Sequence, residues 1–276
     1  MVLETLQIRL HGDAALPTLI YLPGLHGDWT LVSSFRAVVA GRVRFVEFTY
    51  PRTTTWSLAD YAAAVEGALV ANGIASGWLL GESFGSQVAW ALLDRARPRG
   101  LAHWAFVTPH SAFEPAGLIL AGGFVKHPWP WGARLLQALS RRAPKQVVRG
   151  GLRFYAAYAR FRHRQAPETL AGIDEFVARR TPLDRAAMQV RCELIAANDP
   201  RPVARATTLP VFFLGGSVDP LVPWPWVRWW LRRNCPGYRG GKTLWLADHN
   251  ALATQPRSAA ATVATWMASG KAVPPQ

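Results

Sequence analysis

Cysteine is scarce in this 276-residue chain, which holds only Cys192 and Cys235, far apart and without C-x-x-C spacing. That excludes a disulfide framework or a zinc site of the usual spacing and predicts buried thiols in a reducing compartment. Acidic residues are also few, 17 Asp and Glu against 31 Lys and Arg, giving a formal charge of +14. Such an excess is compatible with nucleic acid, anionic membrane or acidic ligands. The basic residues, however, are mostly arginines scattered singly or in pairs (Arg141-Arg142, Arg179-Arg180, Arg232-Arg233), and no nucleic-acid-binding module accompanies them. A solvated basic surface is therefore the favoured reading, with no nucleic-acid partner. Long apolar runs are missing: the longest, such as residues 102–108, cannot span a bilayer. The first seven residues have no basic n-region and an early acid, Glu4, so no secretory signal is visible and a soluble, cytoplasmic protein is expected. There is no metal-ligand cluster, no G-x-G-x-x-G and no P-loop, so neither a metal nor a nucleotide cofactor is expected.

What the chain has in quantity is core material. Half of its residues are hydrophobic and 17% are charged, which argues for a packed domain rather than disorder. Apolar runs bounded by turn signals alternate with helix-period segments. Strands are predicted at residues 18–22, 43–48, 78–81 and 101–107, with helices at 29–40, 58–71 and 87–96 between them. The rhythm stops near Pro109 and resumes with a strand at 210–214, a helix at 224–233, a strand at 243–246 and a last helix at 251–267. This is an α/β pattern, a mostly parallel twisted sheet covered on both faces. A short antiparallel edge strand at 6–10 is expected to precede it. Residues 110–206 read as helices and loops, for example 131–141, 147–164 and 173–180, and carry sixteen Lys and Arg against seven Asp and Glu. The expected organisation is a core of residues 1–109 and 207–276 interrupted by a basic helical cap at 110–206, over the sheet edge where ligands bind.

The chemistry is concentrated at Gly81-Glu82-Ser83-Phe84-Gly85, a G-x-S-x-G between a predicted strand and a predicted helix. A serine on such a turn is held in strained backbone with its hydroxyl exposed, and flanking glycines let strand and helix pass closely. A serine hydroxyl needs a base, and the base an acid to fix its tautomer, in chain order Ser, acid, His. Of seven histidines only His249 follows the last strand. Asp219 lies on the loop after the 210–214 strand; Glu114 is the weaker alternative acid, and Asp248 reads as a loop residue. Two backbone N–H groups must face the developing oxyanion. One is expected from Phe84, the other from Leu25 in the loop that follows the 18–22 strand. His26 either binds substrate or fixes this loop.

These motifs resemble those of the α/β-hydrolase superfamily over the whole chain except the insertion. Pro23-Gly24-Leu25-His26-Gly27 is similar to its H-G-x-x-G oxyanion loop with Pro23 in place of histidine. Gly81 to Gly85 is similar to its nucleophile elbow. Val218-Asp219-Pro220 and Asp248-His249-Asn250 are similar to its acid and histidine loops. The resemblance implies about seven strands, with the family's first strand missing, and a cap that governs substrate choice. Serine at the elbow argues against epoxide opening and halide displacement, which use aspartate there.

The expected activity is hydrolysis of a carboxylic ester through an acyl-enzyme, with Ser83, Asp219 and His249 as triad. An acyltransferase, or a thioester or carbon–carbon bond hydrolase, would use the same residues, and a non-catalytic binding protein that keeps the fold is the reading from another class. Thirteen tryptophans suggest an apolar acyl or aryl substrate. Trp129 and Trp131 in the cap either wall the pocket or lid or serve packing alone. In the cluster at 224–230, Trp226 and Trp230 are expected to pack a helix on the sheet while arginines face water. Peripheral membrane contact is an unfavoured alternative.

Overall fold

The computed structural model describes residues 5–97, 111–127, 145–164 and 166–269. Seven strands form one sheet: β1 (Gln7–His11), β2 (Thr18–Leu22), β3 (Arg44–Thr49), β4 (Ser76–Glu82), β5 (Glu114–Ala121), β6 (Val211–Gly216) and β7 (Tyr238–Leu244). Their spatial order is β1-β3-β2-β4-β5-β6-β7. Only β1 runs antiparallel, pairing with β3 from Gln7 opposite Thr49 to His11 opposite Phe45. The expected edge strand and strand count are thus observed.

Alternate residues of the central strands feed two cores. Ile20, Leu22, Leu79, Leu118, Leu120 and Phe213 point to one face, under α2 (Leu58–Ala71), α3 (Gly85–Ala96) and α9 (Trp224–Asn234). Leu19, Tyr21, Leu80, Ile119 and Leu214 point to the other, under α1 (Ser33–Val39) and α11 (Pro256–Ser269). Burial on both faces is the reason these strands read as continuous apolar runs. Local signals set the helix starts. Ser57 and Asp60 form a reciprocal capping box on α2. Pro256, which has no N–H to donate, divides the expected last helix into α10 (Ala251–Thr254) and α11.

One boundary needs correction. The segment expected to be cap from residue 110 contains β5, which pairs with β4 from Ser76 opposite Glu114 to Glu82 opposite Ala121, and with β6 from Leu118 opposite Val211. Gly117-Leu118-Ile119-Leu120-Ala121, bounded by Pro115 and by Gly122-Gly123, is a short apolar run buried at the centre of the sheet. The expected strand at 101–107 lies outside the described residues, as do the expected helix at 131–141 and the terminal Pro-Pro tail. Between β5 and β6 the described helices are α4 (Lys145–Arg162), α5 (Pro167–Ala171), α6 (Ile173–Ala178), α7 (Pro182–Ala197) and α8 (Arg201–Ala206). They are not segregated from the rest: Ile195 and Ala204 belong to the main core, and Ile173 and Phe176 pack on Leu31.

The tryptophan cluster also differs from expectation. Val227 and Leu231 form the buried seam of α9, with Trp224 and Trp230 packed beside it, whereas Trp226 is 49% exposed and lies against Trp229. The seam follows the i, i+4 aliphatic pair rather than the larger rings. Among the described residues no helix is long and apolar enough to cross a membrane.

Candidate functional site

Four loops meet at the C-terminal edge of the parallel strands, where ligands bind in open α/β sheets. They follow β2, β4, β6 and β7, and they carry Leu25 and His26, Ser83, Asp219 and His249 respectively.

Ser83 is the first of the two residues between β4 and α3, and its φ is +50°. L-residues avoid this conformation, so the turn is held by its surroundings. Ser83 N donates to Ala121 O at 3.1 Å, and Ser86 and Gln87 N–H groups close the first turn of α3 on Ser83 O and Phe84 O at 2.9 and 2.8 Å. A Cβ on Gly85 would overlap Leu22 O, and one on Gly81 would stand 2.8 Å from Ser86 Cα, so both glycines of the motif are sterically required. Below the turn, Ser86, Gln87 and Trp90 side chains all donate to Phe124 O. This fixes the helix start to the loop that leaves β5.

Asp219 is oriented by its own loop. Its Oδ1 accepts the N–H groups of Leu221 at 2.8 Å and Val222 at 3.0 Å, leaving Oδ2 to meet His249 Nδ1 at 2.9 Å. The acid and histidine loops are stitched together by Val218 N to Ala247 O and by Leu246 N to Ser217 Oγ. Gly122, at φ +55°, lies beneath the imidazole; a Cβ there would come within 2.9 Å of His249 O and 3.3 Å of Nδ1. Since Ser83 is bonded to Ala121, Ser83 and His249 flank the same strand end. Burial works against a charge on His249, but the hydrogen bond and charge of Asp219, with Glu82 and Asp248 adding, raise its pKa above the ordinary imidazole value. The structure therefore brings Asp219 and His249, two of the three expected site residues, into direct contact. Among the described residues the Ser83 hydroxyl has no hydrogen-bond partner.

Asp248 turns away from this pair, as its reading as a loop residue implied. It accepts Asn250 N at 3.0 Å and pairs with Arg162 at 3.3 Å. Glu114 is eliminated as the acid: it is exposed at the start of β5, the opposite edge of the sheet from Ser83.

The loop after β2 approaches the elbow through Gly24, where a Cβ would stand 3.4 Å from both Ser83 Cβ and His26 Nδ1. Among the described residues neither Leu25 N nor Phe84 N is engaged by another protein group. The loop is held from outside by two arginines that the motifs do not point to. Arg191 Nη1 donates to Leu25 O and Arg180 Nη1 to His26 O, each at 2.9 Å. Arg180 also pairs with buried Asp28. Burial alone would raise the Asp28 carboxyl, but His26, Arg180 and the Thr30 hydrogen bonds prevail and hold it low. His26 is shifted down by burial, against the pull of Asp28 and Glu82, so its ring is neutral; it packs edge-on to Phe176. A sequence signal for Arg191 does exist. It sits with Ala187 and Ile195 on the buried stripe of α7, an ionised residue where the period calls for an apolar one. Glu82, inside the elbow motif, has a role the motif does not specify: it is buried and accepts the Tyr21 hydroxyl.

Trp129 and Trp131 lie outside the described residues. Among the described residues no three His, Cys, Asp or Glu side chains gather into a metal-binding group.

No family model and no curated protein matches the sequence. Solved structures do match in shape. An esterase from Thermogutta terrifontis, determined with malate bound, superposes with a TM-score of 0.70 at 20% identity, over 97% of this chain and 94% of its own. An esterase from a Rhodococcus species gives 0.71 at 19% identity, over 96% and 94%. An enol-lactonase from Burkholderia xenovorans gives 0.68 at 18% identity, over 95% and 96%.

Proposed function

Because the chain has the α/β-hydrolase fold, we propose that it is a serine hydrolase of carboxylic esters with Ser83, Asp219 and His249 as its triad. The observation that carries this reading is the Asp219–His249 bond of 2.9 Å beside a serine at φ +50°. A hydrogen-bonded pair oriented by two loop amides and placed next to a strained serine has a ready chemical use and no evident structural need.

In the proposed reaction His249 Nε2 takes the Ser83 proton as Oγ attacks the ester carbonyl. Asp219 holds Nδ1–H, fixes the tautomer and offsets the imidazolium charge. Leu25 and Phe84 N–H groups meet the carbonyl oxygen as it becomes an oxyanion, a contribution of about 10²–10³ in rate per donor. Collapse of the tetrahedral intermediate breaks the ester C–O bond, and His249 returns the proton to the leaving alcohol. Water, deprotonated by the same imidazole, then attacks the acyl carbon; the bond to Ser83 Oγ breaks, His249 returns the proton to Oγ, and the acid leaves. The helices between β5 and β6 act as the cap, and an apolar acyl or aryl group is the substrate class that the tryptophan-rich composition favours.

The test is turnover of short-chain p-nitrophenyl esters. Wild-type protein is expected to hydrolyse them, and Ser83→Ala to lose roughly 10³-fold or more in kcat; intact turnover in that variant would contradict the assignment.

A further inference from the structure

Beside the oxyanion loop lies a second cavity, of about 340 Å³, that none of Ser83, Asp219 and His249 lines. Its walls come from β1, the segment after β3, the far side of the loop at His26 to Asp28, and the helices between β5 and β6. Three arginines line it, Arg52, Arg179 and Arg191, with Asp28 and Asp184; Arg179 also pairs with Glu175, a half-exposed side chain, at 2.9 Å. Both carboxylates are already met, Asp184 by Arg52 at 3.0 Å and Asp28 by Arg180, which stands outside the lining. Arg191 is different. It is 2% exposed and its partners are all neutral: Tyr61 Oη at 3.3 Å, Leu25 O at 2.9 Å and Pro51 O at 3.1 Å. Those three bonds leave two of its five N–H groups unused among the described residues. Among the described residues no carboxylate pairs with it directly, and a buried cation without a direct ionic partner is costly.

The same walls hold further unmet polar atoms. Among the described residues Thr49 Oγ1, Tyr50 Oη and His26 Nε2 are all buried without a hydrogen-bond partner, and all three residues line the cavity. Three of the five residues with such atoms among the described residues thus line one cavity. Two orphaned hydroxyls beside a guanidinium with spare N–H groups have a common remedy, an oxyanion that accepts from all of them. The volume lies at the small end of ligand pockets.

We propose that this chamber is a binding site for a small oxyanion, a carboxylate or phosphate group, held by Arg191 and Arg179 with Thr49 and Tyr50 as hydroxyl donors. The anion is either a free small molecule or the acid group of a larger substrate. Its site shares Arg191 with Leu25 O, so occupancy bears directly on the loop that presents the second oxyanion donor.

Calorimetric titration of the whole protein with sodium phosphate and with sodium succinate, at ionic strength matched with NaCl, tests this without assuming any hydrolytic activity. Saturable binding of at least one probe is expected, unchanged in Ser83→Ala. Arg179→Gln and Thr49→Val should weaken it at least fivefold while melting as the wild type does. Arg239→Gln, which removes an exposed arginine on the opposite sheet edge, should leave it unaltered. Arg191→Met should abolish it, but because that change also frees Leu25 O the two milder variants decide the matter. Succinate that competes with p-nitrophenyl hydrogen succinate and not with p-nitrophenyl butyrate would identify the anion as part of the substrate; an equal effect on both would identify a free ligand. Absence of saturable binding, or equal weakening by Arg239→Gln and Arg179→Gln, would overturn the proposal.

Discussion

Ser83 occupies left-handed backbone that costs an L-residue about 1–2 kcal/mol, and Gly81, Gly85 and the Ala121 carbonyl leave it no relaxed alternative. The proposed base is tuned with equal specificity. A raised His249 pKa has opposite signs for activity and for stability. The neutral imidazole is the one that accepts the serine proton, so kcat/KM should fall on the acid side with a midpoint above the ordinary value of about 6.5. Protonated His249 is favoured by the fold, so its stabilising contribution is full below the unfolded-state pKa and fades as pH rises through the folded one. A pH–rate profile on a p-nitrophenyl ester checks the first statement. Asp219→Asn should move the midpoint down and lower kcat by roughly 10⁴-fold; an unmoved midpoint would remove Asp219 from its role.

At the scale of elements, the segment between β5 and β6 is wired into the core by buried charge. Arg180, just beyond α6, reaches Asp28 with the two side chains 7% and 5% exposed. Arg191 on α7 spans Leu25 O and Pro51 O, and on α5 Thr169 N donates to Ser34 Oγ at 2.9 Å. Removing one partner of a buried pair strands the other, at a cost of about 3–5 kcal/mol. Arg180→Met should therefore destabilise the protein by about that much in denaturant titration, and Asp28→Asn in the same chain should recover part of the loss. Additive effects would mean the pair does not couple. Such long-range wiring bounds what is legible in the sequence. Alternation of apolar runs with helix-period segments located β2, β3, β4 and β6, because burial on both faces leaves a local trace, and the same rhythm placed the edge strand β1 and the end of β7 at either end of it. The strand Glu114–Ala121 escaped, since one apolar run of that length inside a helix-rich stretch has no period to separate it from a buried helix. The triad candidates were legible because chain order constrains them. Arg180 was not, and Arg191 shows only as a charge on an apolar stripe with its role hidden, because their partners are backbone carbonyls and an aspartate more than 130 residues away.

For the molecule as a whole, this wiring argues against a cap that folds by itself. Ile195 and Ala204 share one core with Val88 and Leu231, and β5 is central to the sheet. Calorimetry is expected to give a single cooperative transition with equal calorimetric and van't Hoff enthalpies; two resolved transitions would separate the segment from the sheet. The positive charge of +14 does not bear on that outcome, but its buried share, Arg180 and Arg191, supports the site rather than the solubility. The central claim is that Ser83 is an activated nucleophile, and its most direct measurement is reaction with a fluorophosphonate followed by peptide mass mapping. One stoichiometric adduct on Ser83 is predicted, lost in Ser83→Ala and slowed in His249→Ala. No adduct, or an adduct that maps elsewhere, would contradict the account.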